Sequence, residues 1–236
     1  MKIKEIKIRL LFIFLFGILS FFPTNAQNNN KNYLYQLNGV TAEGKLASIQ
    51  ETLLEEEWDI ITMQQVSQLS GVLDSYFPYI SIVNDFVKEN CISAKRMLHE
   101  TWSYEVDSDH PGFVNYNNDQ KEMLCAIVSA NKAVAKELDL PIIPTGHLLQ
   151  ELREKSKYFD YKNGGLSLCR DGFHLSLLYG RYAAAALWFE LLFNENILNN
   201  SFVPEVDGVK ADVEIITEMK IFVSEVADKS KENTLF

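Results

Sequence analysis

Trp58-Asp59-Ile60-Ile61-Thr62-Met63-Gln64-Gln65-Val66-Ser67 is the stretch on which the fold turns. Its first six residues form a β-rich, nearly continuous apolar run. A strand that is buried on both faces reads this way, and such strands belong to parallel sheets covered by helices. Upstream, residues 45–57 read as a helix. Leu46, Ile49 and Leu53 share one face, and Glu55, Glu56 and Glu57 lie on the wet side.

The alternation continues outward. Pro78 opens a helix to about residue 90 with Ile80, Val83 and Val87 on its buried face. Residues 94–101 read as the next strand and 107–118 as a polar loop. Residues 119–138 read as a helix with Leu124, Ile127, Val128, Val134, Ala135 and Leu138 at helical spacing, which puts Cys125 on the apolar stripe. Residues 141–144 make a short strand, after which Thr145 caps a helix toward residue 157. A glycine-containing loop covers 163–175. The helix at 176–193 is apolar nearly all round and is expected to be buried on every side. A last helix covers about 211–226, with Ile215, Met219, Phe222 and Val226 on one face, and a short strand is expected at 33–37. Helices alternating with doubly buried strands predict an α/β fold with a mainly parallel sheet. In such sheets chemistry sits at the C-terminal strand ends, here the loops at 64–71, 101–118 and 163–175.

The N-terminus reads differently. Lys2, Lys4, Lys7 and Arg9 precede the apolar residues 10–22, and Pro23-Thr24-Asn25-Ala26 follows. This is the pattern of a signal peptide cut after Ala26, in a protein exported to the periplasm or beyond the cell. The apolar stretch is shorter than the roughly 20 residues that span a bilayer, so no stable membrane anchor is expected after cleavage. The polar residues 27–32 then lead into a single domain over 27–236. The whole chain carries 22 basic and 32 acidic residues, net −10; without residues 1–26 the balance is 18 against 31, net −13. Nucleic acid and anionic surfaces are excluded as partners on that charge, whereas neutral ligands such as sugars are not. Cys91, Cys125 and Cys169 show no spacing that suggests zinc, and no metal or other cofactor is expected.

Among the candidate residues, Asp171 and His174 stand three apart in Cys169-Arg170-Asp171-Gly172-Phe173-His174. That spacing lets a carboxylate orient an imidazole through one ring nitrogen and leave the other free as a base. Gln65 and Ser67, at a strand's C-terminal end, carry groups able to donate to a developing oxyanion. His99 reads as a packing residue within a strand. His110 and His147 show no ligand spacing to each other.

Four blocks together resemble the SGNH (GDSL-like) hydrolases, in a secreted bacterial branch described as a domain of unknown function. They are residues 58–67, Thr101-Trp102-Ser103-Tyr104, Asn115-Tyr116-Asn117-Asn118-Asp119-Gln120 and residues 169–174. The likeness runs over about 33–193. It implies a flavodoxin-like, three-layer α/β/α sandwich and a metal-free serine esterase site, acting on a small-molecule or carbohydrate ester. His174 would be its base, Asp171 the orienting acid, Gln65 or Ser67 the oxyanion donor, and Trp102, Tyr104 and Asn117 the cleft lining. It also implies a nucleophilic serine in a Gly-Asp/Asn-Ser block after the first strand, and the sequence contains no such tripeptide. The block and the first central strand are therefore expected to be missing. This leaves a second reading, a truncated or inactive family member that binds carbohydrate.

Overall fold

The computed structural model describes residues 10–14, 33–35, 45–47 and 49–232. Its strands are β1 (Leu10–Phe14), β2 (Tyr33–Tyr35), β3 (Lys45–Ala47), β4 (Ile60–Gln64), β5 (Lys95–His99), β6 (Ile142–Ile143), β7 (Glu205–Val206) and β8 (Val209–Lys210). The helices are α1 (Ile49–Glu55), α2 (Tyr79–Asn90), α3 (Gln120–Leu138), α4 (Thr145–Lys155), α5 (Gly180–Phe193) and α6 (Val213–Glu232). The main sheet has the hydrogen-bonded order β1-β4-β5-β6. The β1–β4 and β5–β6 pairings are parallel, as the doubly buried run at 58–63 predicts. The α/β class with a parallel sheet, in keeping with a flavodoxin-like sandwich, follows from that order and the intervening helices.

The chain divides into two compact units. The first comprises the residues up to Val66 together with Tyr76–Met97. There α1 packs on α2, and Leu53, Ile61, Met63, Ile80, Val83 and Val87 are buried. The indole N–H of Trp58 donates to the Thr52 carbonyl at 3.2 Å, tying the entry of β4 to α1. The expected helix at 45–57 starts later, because Lys45–Ala47 pairs antiparallel with β2 instead of winding into α1.

Contrary to expectation, the first strand is present. β1 runs parallel to β4 from Leu10↔Ile60 to Phe14↔Gln64. Its residues come from the apolar stretch read as the core of a signal peptide, since five consecutive large apolar residues suit a buried strand as well as an export signal. The cleavage point after Ala26, the leader at 27–32 and the serine of any block following β1 lie outside the described residues.

The second unit comprises Ser67–Ser75 and Leu98–Phe236. Here α3 and α5 both pack on β6, and α4 and α6 pack with α5. Tyr104, Phe113, Tyr116, Met123 and Ile127 form one buried cluster. The inward face of α3 is Met123, Ile127, Ala130, Asn131, Val134 and Ala135. That face is rotated from the predicted one, so Cys125 is exposed and not buried as expected. Nor is α5 buried all round: Arg181 and Ala185 are exposed.

Thr145 does not cap α4. Its hydroxyl pairs with Nε2 of His99 at 2.9 Å, and the N–H of His147 is instead capped by the side chain of Glu100 at 2.9 Å. A Cβ at Gly146 would stand 2.1 Å from the Thr101 carbonyl oxygen, so only glycine allows this approach. Burial keeps the His99 imidazole neutral, its pKa lowered to about 3, in agreement with a packing role. Burial also pushes the Glu100 carboxyl up to about 7, against the opposing pull of the His147 N–H and Lys132. Because the folded value lies above the unfolded one, Glu100 loses stability for the fold as pH rises from about 4.5 to 7. Glu100→Gln keeps the acceptor and removes the charge. Urea denaturation should show it about 3 kcal/mol more stable than wild type at pH 8, with no gain at pH 4.

Candidate active site

The second unit holds the Asp171–His174 pair on a tight excursion of chain. Cys169 and Leu175 form an antiparallel bridge, and the Arg170 N–H donates to the His174 carbonyl at 2.8 Å. Asp171 therefore sits at the tip of a turn, where Gly172 has a φ of 84° that side chains resist. Two bonds of 2.7 Å anchor this turn to the 101–118 loop: the Trp102 indole N–H donates to the Phe173 carbonyl, and the Glu105 N–H to that of Gly172.

Within the turn, Oδ2 of Asp171 lies 2.7 Å from Nδ1 of His174. Oδ1 accepts the backbone N–H groups of His174 at 2.8 Å and Phe173 at 3.3 Å. Desolvation pushes the Asp171 carboxyl up, but the hydrogen bonds from the His174 ring and from both N–H groups outweigh it and hold the pKa down at about 2. An ionised carboxylate at Nδ1 keeps the proton there and leaves Nε2 unprotonated. Both side chains are exposed, so the base faces solvent.

The other predicted residues take different places. Gln65 is fully buried, and its carbonyl oxygen accepts the Val66 N–H at 2.8 Å. The Ser67 hydroxyl is paired with the Tyr104 hydroxyl at 2.9 Å. Tyr104 is fully buried, so it has no surface to line a cleft; it is core. Asn117 holds a left-handed turn at φ 55° and donates to Glu122 at 2.7 Å. Trp102 is half-buried and stands beside the Asp171–His174 turn. Cys169 is buried and accepts a bond from Arg153, yet burial drives its thiol up to about 12, which removes it as a nucleophile.

Sequence reasoning passed over two residues of this neighbourhood, Phe173 and His110. The Phe173 ring lies 4.3 Å from the His174 ring and 4.7 Å from the His110 ring. The available signal was the Asp109-His110-Pro111-Gly112 run, whose proline and glycine mark a turn able to present an imidazole. Nearby, Glu105 and Arg153 form a buried ion pair at 3.3 Å beside a cavity of about 800 Å³ that neither Asp171 nor His174 lines. Among the described residues, no three histidine, cysteine or acidic side chains are placed to hold a metal ion, and no helix is long and apolar enough to cross a membrane.

The fold and the site define the class: an α/β protein with a parallel sheet and an exposed, carboxylate-oriented histidine on a loop. The chain belongs to the family described as a domain of unknown function (DUF4886), whose model matches residues 2–217, a span that includes β1. It is similar to a DUF4886 family protein from Bacteroides uniformis known from a crystal structure. The two are 33% identical with a TM-score of 0.69, over 77% of this chain and 67% of that one. A protein from Slackia heliotrinireducens, described as a candidate SGNH hydrolase, is 19% identical with a TM-score of 0.42, over 58% of this chain and 67% of that one. No curated protein matches the chain.

Proposed function

We propose that the protein is an SGNH-type ester hydrolase. The observation that carries this reading is the 2.7 Å contact between an ionised Asp171 and Nδ1 of an exposed His174. In support stands the order of the four sequence blocks that resemble the superfamily. Among the described residues no serine hydroxyl or cysteine thiol is hydrogen-bonded to the His174 ring, and the segment after β1, where the resemblance puts the nucleophilic serine, lies outside them; His174 plays the same part whether a serine hydroxyl or water attacks.

With water attacking, Nε2 takes a proton from it as the water oxygen bonds to the ester carbonyl carbon. The carbonyl π pair moves onto oxygen, giving a tetrahedral oxyanion. Its collapse breaks the bond to the alcohol oxygen, which recovers the proton from the imidazolium. Acid and alcohol leave, and His174 returns to its starting state.

For the alcohol portion we propose an acylated carbohydrate, a neutral ligand suited to a chain of net charge −10, with the half-buried Trp102 offering ring surface beside the turn. Export to the periplasm or medium is a separate proposal, resting on the basic, apolar and small-residue pattern of residues 2–26; cleavage after Ala26 would remove β1. The test is release of 4-nitrophenol from p-nitrophenyl acetate by the purified full chain. Turnover above the buffer rate is expected; a rate equal to the blank overturns the reading and leaves the non-catalytic carbohydrate binder as the alternative.

A further inference from the structure

We infer that His110 is the oxyanion donor of this site, its Nε2–H hydrogen-bonding the ester carbonyl oxygen as negative charge develops there. The inference rests on the esterase reading and fills a gap in it. An ester hydrolase needs a donor aimed at the forming oxyanion. Gln65 is fully buried, and the Ser67 hydroxyl is engaged by Tyr104.

His110 is held in the neighbourhood of His174 by aromatic contacts. Its ring sits 4.7 Å from the Tyr104 ring and 4.7 Å from the Phe173 ring, the latter edge-on at 71°. Phe173 in turn touches the His174 ring, so a single side chain bridges the base and the second imidazole.

The tautomer follows from one bond. Nδ1 of His110 accepts the backbone N–H of Gly112 at 3.0 Å. A backbone N–H can only donate, so Nδ1 carries no proton and the neutral ring must carry its proton on Nε2. Glycine is required for this contact, since a Cβ at position 112 would stand 2.4 Å from Cβ of Gln68 and 3.2 Å from the His110 ring. Among the described residues, Nε2 of His110 has no partner. A neutral imidazole fixed as a donor polarises a carbonyl without adding a charge to the resting site.

The test separates donation from scaffolding. Asn at 110 places an acceptor near Nδ1 and satisfies Gly112, but has nothing at the Nε2 position. Gln reaches the Nε2 position with an N–H donor and loses the bond to Gly112. If His110 donates to the oxyanion, His110→Asn lowers kcat for p-nitrophenyl acetate by about 10²–10³ with KM little changed, and His110→Gln recovers at least a tenth of the wild-type kcat. If His110 only supports the loop, the order reverses, Asn outperforming Gln, and the inference fails. Nitrogen-15 spectra of the full chain should show Nε2 protonated; a proton on Nδ1 also overturns it. His174→Ala run alongside distinguishes the two levels. Turnover that needs His174 but ignores His110→Asn sinks the donor role alone, whereas turnover indifferent to His174→Ala sinks the esterase reading and this role with it.

Discussion

His174→Ala should reduce p-nitrophenyl acetate turnover to the buffer rate, and Asp171→Asn should cost about 10²–10⁴ in kcat. The first removes the only described group positioned to take the proton. The second is more informative, because Asn is nearly the same size and keeps an oxygen for the Phe173 and His174 N–H groups. Its amide nitrogen, however, then faces Nδ1 as a donor at the 2.7 Å contact. The ring responds by carrying its proton on Nε2, the position that must be empty for a base. The turn should survive this change, since its glycine at 172 and its anchors from Trp102 and Glu105 are untouched. Near-normal melting together with lost kcat is therefore the expected pattern, measured by steady-state kinetics and circular dichroism. An Asp171→Asn variant as active as wild type would show that the carboxylate does not set the tautomer.

The second large effect concerns the amino terminus. Removing residues 1–26 deletes β1 and bares the edge of β4, whose Ile60, Ile61, Thr62 and Met63 are buried. Each ladder hydrogen bond is worth about 1 kcal/mol net. Losing those of a five-residue strand takes several kcal/mol from a stability of about 5–15 kcal/mol. An unpaired parallel-sheet edge also invites pairing between chains. A chain of residues 27–236 should therefore melt at least 10 °C below the full chain, or elute as dimers and aggregates on size exclusion. Equal melting and a monomeric profile would show that β1 is dispensable. Export with cleavage after Ala26 and use of Leu10–Phe14 as a strand exclude one another in a single molecule, so the N-terminal residue of the purified protein decides which fate these residues meet.

Ser20 follows β1 in sequence, where the superfamily resemblance puts its nucleophile. Ser20→Ala in the full chain should leave turnover unchanged when water attacks. A loss as large as that from His174→Ala would reassign the attack to the Ser20 hydroxyl.

Much of this was legible from local pattern. The run at 58–63 announced a doubly buried strand, and the Asp-x-x-His spacing announced a carboxylate-held imidazole, because both properties reside in residues close in sequence. What stayed hidden depends on distant contacts. Leu10–Phe14 carries the same apolar signal whether it enters a membrane translocon or a sheet, and only its pairing with β4 distinguishes them. Thr145 has the look of a cap, but the Glu100 side chain reaches the same helix end, its Oε1 accepts the His147 N–H, and it takes the role. Tyr104 and Asn117 sit in a loop that reads as a cleft wall. The first is drawn into the core by Phe113 and Met123, and the second is spent on a left-handed turn. His110 had no ligand spacing to reveal it; its significance comes from Phe173, brought beside it by the turn that carries His174.

The central claim is that the imidazole of His174 is the base of an ester-hydrolysing site. It is tested most directly by chemical rescue, measuring p-nitrophenyl acetate hydrolysis by the His174→Ala full chain against free imidazole. A protein-dependent rate that rises and saturates with imidazole, above imidazole's own reaction in buffer, is the result predicted. A wild-type rate no greater than that of His174→Ala, with no saturable rescue, would contradict it.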